Sequence, residues 1–102
     1  MDSDSYDEIE VEDEVPAAAD FGVTLTGNSM EPVFIQGQTV WVHSQEALNN
    51  GEIGVFYYNE EAYCKKYTEK DGKVVLVSLN PSYVPIVVDP ENGFKIFGKV
   101  LG

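Results

Sequence analysis

The 102 residues predict a mainly β domain, a strongly bent sheet or partly closed barrel with little helix. Two observations carry that prediction. Apolar residues alternate with small or polar ones, as in Phe21-Gly22-Val23-Thr24-Leu25, which suits a strand with one buried face. Turn signals such as Gln36-Gly37, Asn50-Gly51, Asp71-Gly72 and Asn92-Gly93 then interrupt the apolar runs at close spacing. Together they leave room for seven or eight short strands.

The elements follow in order. Phe21 to Leu25 form a first strand ending at Gly27. Ser29-Met30-Glu31-Pro32-Val33-Phe34 predicts one helical turn, since proline is tolerated near a helix start. Gln36-Gly37 turns the chain into the strand Thr39 to His43, and Ser44 to Gly51 is a loop. Glu52 to Tyr58 and Ala62 to Thr68 read as a hairpin joined through Asn59-Glu60-Glu61. Lys70-Asp71-Gly72 turns into the strand Lys73 to Leu79. A loop with Pro81 and Pro85 leads to the short strand Ile86-Val87-Val88, and Glu91-Asn92-Gly93 turns into a last strand from Phe94 to Leu101.

Length and charge bound the organisation. The chain is long enough for one small domain, placed at residues 20–102, with residues 1–19 an acidic, partly mobile N-terminal segment. Ile9, Val11 and Val15 alternate with acids there, which would suit an edge strand. Eight of the acids fall within residues 1–14, so the net charge of −12 belongs mostly to the segment and the body sits near −4. All six bases are lysines. Arginine is the residue best suited to bidentate reading of guanine and to phosphate clamping, so this body is not expected to bind DNA by itself. One histidine and one cysteine argue against a zinc site and exclude an internal disulfide, and no cofactor is expected. No apolar run approaches 18 residues and no secretory leader is visible, so a cytoplasmic protein without a membrane span is expected.

Ser29 is the candidate nucleophile. A serine hydroxyl needs a base to take its proton, and His43, Lys65 and Lys66 are the candidates. His43 at a strand end is readily explained as structural. In an extended strand Tyr63, Lys65 and Tyr67 share one face while Ala62, Cys64 and Lys66 share the other. Rings beside Lys65 would strip water from its amine and lower its pKa; alternation alone does not choose between Lys65 and Lys66. Gly27 permits a sharp bend before the serine. A helical turn starting after Ser29 would aim the N–H groups of Ser29 and Met30 at a developing oxyanion. The same geometry would also suit a serine that merely caps the turn.

Gly27-Asn28-Ser29-Met30-Glu31-Pro32, then Gly37-Gln38-Thr39-Val40-Trp41-Val42, the run from Asn50 to Tyr67, Leu79 to Val88 and the closing Phe94 to Gly102 occur in an order that resembles the LexA-like self-cleaving family. The resemblance covers Asp20 to Gly102. It implies a bent β-sheet peptidase fold like that of LexA and the signal peptidases, with a serine–lysine dyad. Ser29 falls on the nucleophile, Lys65 on the general base and Lys66 on the second basic position. It further implies a homodimer through this domain, partly through the last strand around Phe94, Ile96, Phe97 and Val100. In repressors of the family an N-terminal helix-turn-helix domain binds operator DNA, and a RecA-type co-protease stimulates cleavage between the domains.

Two departures accompany the resemblance. Neither Ala-Gly nor Cys-Gly, the dipeptides at which such proteins cut, occurs in these residues, and Gln38 stands where aspartate is common. The reading is therefore a dimerisation and autoproteolytic domain of a phage-type or SOS-type repressor. Its alternatives are a non-catalytic partner-binding module of the same fold, a UmuD-like protein and a signal-peptidase-like protein.

Overall fold

The structure, a computed structural model, describes residues 15–102. The proposed edge strand around Ile9 and Val11, and most of the acidic segment, lie outside the described residues. Seven strands are present among the described residues: β1 (Phe21–Thr24), β2 (Thr39–Ser44), β3 (Ile53–Tyr58), β4 (Glu61–Lys70), β5 (Lys73–Val77), β6 (Ile86–Val87) and β7 (Lys95–Val100). They form a single curled antiparallel half-barrel in the order β1-β2-β7-β3-β4-β5-β6. The expectation of a mainly β, bent sheet holds. No helix among the described residues is long and apolar enough to cross a membrane.

Two hairpins set the register of the right half of this sheet. Asn59 and Glu60 both have positive φ, 51° and 70°, and so do Asp71 and Gly72, 54° and 79°. Two consecutive residues of this kind make the tight turn whose twist matches paired strands. The first turn is thus shorter than the three residues expected, because Glu61 already pairs with Tyr58. Likewise Lys70 pairs with Lys73 across the second turn.

Curling buries both faces of the central strand. Val55 packs with Leu25, Val40, Val42 and Val100, whereas the next residue, Phe56, packs with Tyr58, Tyr67, Leu76 and Val88. Neighbouring side chains on a strand point oppositely, so two cores are served by one strand. β7 bends where Val55 faces Gly98 but Phe56 faces Ile96, leaving Phe97 as the extra residue of a bulge. Gly98 is required at this crossing, since a Cβ there would run into the His43 carbonyl.

The expected turn after Ser29 is present as a loop and not as a helix. Glu31 N–H donates to Asn28 O at 3.2 Å and Phe34 N–H to Met30 O at 3.0 Å. Pro32, which follows a cis peptide bond, contributes no donor. The regular helical element among the described residues is a short 3₁₀ turn, Pro90–Asn92, capped by Asp89 and ended by Gly93.

Candidate active site

Ser29 is carried by the loop that leaves β1. Leu25 remains tied to the β2 side, donating to Gln38 O and accepting from Gly37 N, each at 2.9 Å. Gly27 then turns the chain at φ 77°, a conformation that costs an ordinary residue free energy. Met30, only 3% exposed, anchors the far side of the loop, and Ser29 is left half-buried between them. The amides of Ser29 and Met30 donate to no acceptor among the described residues.

Lys65 arrives from β4. Its side chain lies on the same strand face as Tyr63 and Tyr67, as alternation predicts, and the residue is 6% exposed. Its Nζ donates to Ser78 Oγ at 2.6 Å. Two rings flank the amine: Tyr83 with its centroid 5.4 Å away and Tyr63 at 5.9 Å. Tyr67, expected to be the second ring, instead stacks on Phe56 with centroids 6.3 Å apart. Burial holds the Lys65 pKa below its ordinary value, opposed in part by Cys64. The same burial pushes the Cys64 thiol up to about 11.

These two elements border one groove of about 460 Å³, lined by residues 23–30, by Glu61 to Lys65, and by Tyr83, Val84 and Ile86. Ser29 and Lys65 both line it. The hydrogen-bond partner of the lysine amine is Ser78, not Ser29. Among the described residues β1 is an outer strand, and β5 begins its pairing with β4 only at Lys66. Among the described residues, the backbone edges of β1 and of Glu61 to Lys65 have no strand partner toward the groove, a setting in which an extended peptide adds as a strand.

The other candidates sit elsewhere. Lys66 is half-buried and does not line the groove. His43 Nδ1 lies 2.9 Å from Ala18 O and 3.1 Å from Asp20 Oδ2, holding the start of the body against β2. Phe94 stacks on Phe56 at 5.7 Å and Ile96 joins the same core, while Val100 is buried in the other. Phe97 is partly buried and lies beside the exposed Tyr57, ring centroids 6.4 Å apart.

Sequence reading missed the roles of Ser78, which it placed in the strand Lys73 to Leu79 although that strand ends at Val77, and of Asn80 and Tyr83, which it placed in the proline-bearing loop that follows. Asn80 N–H donates to Ser29 O at 2.9 Å and its Nδ2 to Asn28 O at 3.0 Å. Tyr83 Oη donates to Asn28 Oδ1 at 2.5 Å. A signal for Ser78 did exist. With Asp71-Gly72 as a two-residue turn, Lys66 faces Val77, and one step further sets Lys65 across from Ser78.

The described residues thus form a small β-rich domain, a curled antiparallel half-barrel with a serine and a buried lysine on one groove. A family model described as Peptidase S24-like matches residues 2–101, and the chain belongs to that family. It is 33% identical to the LexA repressor of Providencia rettgeri over 86 residues, 82% of this chain and 42% of that protein. To the LexA repressor of Carboxydothermus hydrogenoformans it is 35% identical over 85 residues, 80% of this chain and 41% of that one. The LexA repressor of Photorhabdus laumondii subsp. laumondii gives 36% over 87 residues, with 83% and 43% covered. The chain thus spans about two fifths of the length of these relatives.

Proposed function

We propose that this chain is the dimerisation and self-cleaving domain of a LexA-like transcriptional repressor, cutting by a serine–lysine dyad. The observation that carries the reading is that Ser29 and a buried Lys65 line the same groove. Burial favours the neutral amine, the form able to accept a proton.

Neutral Lys65 takes the Ser29 proton as Oγ attacks the carbonyl carbon of a peptide strand laid in the groove. The oxyanion is received by the amides of Ser29 and Met30. The Lys65 ammonium then protonates the leaving amine, the C–N bond breaks, and an ester to Ser29 remains. Lys65, neutral again, draws a proton from water, whose oxygen attacks the ester and releases the new carboxyl terminus while Ser29 regains its proton. The bond to be cut belongs to the longer parent, since no Ala-Gly or Cys-Gly lies within these residues.

Repression, operator binding through a helix-turn-helix domain of the parent, and stimulation by a RecA-type co-protease form part of the same proposal. The body of this chain, with no arginine, is not the DNA-contacting part. A homodimer would make two weak half-site contacts act together. Of the four residues expected at its interface, Val100 is buried while Phe94, Ile96 and Phe97 are half-buried, and Phe97 lies beside the exposed Tyr57.

The test is cleavage of the parent polypeptide followed by mass spectrometry between neutral and alkaline pH. Ser29→Ala and Lys65→Ala should each abolish product while the thermal transition stays cooperative. Undiminished cleavage in Ser29→Ala would falsify the proteolytic reading. The absence of a family cleavage dipeptide favours a second reading, a partner-binding module without catalysis; in that case the unaltered parent yields no product at any pH.

A further inference from the structure

We propose that Asn80 is a positioning residue that aims both oxyanion amides, those of Ser29 and Met30, and ties them to the strand end that holds Lys65; this rests on the dyad reading above. The peptide unit is planar and trans, so its C=O and N–H point in opposite directions. Fixing a carbonyl therefore fixes the following amide. Asn80 N–H holds the Ser29 carbonyl at 2.9 Å, which orients the Met30 N–H. Asn80 Nδ2 holds the Asn28 carbonyl at 3.0 Å, which orients the Ser29 N–H. One residue thus acts on both donor directions, sharing the Asn28 carbonyl with Glu31 N–H at 3.2 Å.

Asn80 is itself immobilised. Its carbonyl accepts from Tyr83 N–H at 3.1 Å and its Oδ1 from Ser82 N–H at 3.0 Å, so every polar group it carries is engaged. Tyr83 adds a third tie to the serine loop through Asn28 Oδ1. Two residues earlier in the chain, Ser78 holds the Lys65 amine. The bracket has work to perform, because β1 and β4 are separated in the sheet by β2, β7 and β3. Among the described residues, the hydrogen bonds that join Asn28 and Ser29 to distant parts of the chain all come from Asn80 and Tyr83.

Two arms test this. In the first, amide order parameters are measured by NMR on the folded chain and on Asn80→Asp, which keeps the shape but loses the Nδ2 donor, with Asn80→Ala as a second variant. The Ser29 amide should fall from about 0.85 to below about 0.6 while β3 and β4 stay rigid. Unchanged values at Ser29 overturn the proposal. In the second, cleavage by the parent is followed against pH. Asn80→Ala should lower the alkaline plateau about 10²-fold, the scale of a lost oxyanion donor, without moving the rising limb, because it places no new charge near Lys65. A plateau equal to that of the unaltered parent overturns the proposal too. If the unaltered parent never cleaves, the proteolytic reading fails, and the order parameters still decide whether Asn80 sets the loop.

Discussion

Lys65 and Ser78 face each other where the β4–β5 ladder opens into the groove, and the lysine Nζ donates to the serine Oγ at 2.6 Å. The hydroxyl oxygen thus supports the charged form of an amine that burial disfavours. Ser78→Ala removes that support. The pH–rate profile of the parent should shift its rising limb toward lower pH. Its plateau should drop about tenfold because the amine loses its orientation, while Ser78→Thr should retain most of the rate. An unmoved limb in Ser78→Ala would show that the hydroxyl does not influence proton affinity.

Lys65 also links stability to pH. Its pKa in the folded chain lies below the ordinary 10.5, so between those two values the unfolded chain binds more protons. Stability then rises with pH through that window and is reduced below it. Lys65→Met should remove this dependence and raise stability at neutral pH, because the methionine carries no charge for burial to disfavour. Urea unfolding of both proteins across pH 7 to 10 measures the difference, and parallel curves would contradict it.

Cys64 has the opposite sign. Its thiol titrates at about 11 in the fold against 9.0 ordinarily, so its contribution to stability is present below 9.0 and is lost as pH rises through about 11. At pH 8 the folded chain holds about 100-fold less thiolate than the unfolded one. Alkylation by iodoacetamide should be slower by about that factor in the native protein than in urea. Equal rates would place the sulfur in water.

Glu60 occupies a left-handed turn position at φ 70° without being glycine. Glycine is the residue favoured there in two-residue hairpin turns. Glu60→Gly should stabilise the chain by about 0.5–1 kcal/mol, the relief of left-handed backbone exceeding the extra entropy of the unfolded chain. A thermal midpoint that falls instead would show that the Glu60 side chain contributes more than its backbone costs.

Much of the β3–β4–β5 half was legible because its information is local. Asn59-Glu60 and Asp71-Gly72 each close a turn between neighbouring strands, and alternation then assigns Lys65, Tyr63 and Tyr67 to one face. The choice of Lys65 over Lys66 was not legible that way. It depends on which face of β4 the curled sheet turns toward the groove, and that requires β1 and its loop to close over the same side.

The amino-acid order sufficed for the strand pattern, the acidic composition of residues 1–14 and the lack of arginine. Turn chemistry and period-two burial act over a few residues, and composition needs no fold at all. Long-range closure assigned the rest: Tyr83 rather than Tyr67 beside the lysine amine, Ser78 as its partner, and Asn80 across the chain from Ser29. Ser78 meets Lys65 and Asn80 meets the Ser29 loop because the curled sheet brings the end of β5 alongside the exit of β1, and a hydrogen bond forms only between groups that packing has already brought within about 3 Å.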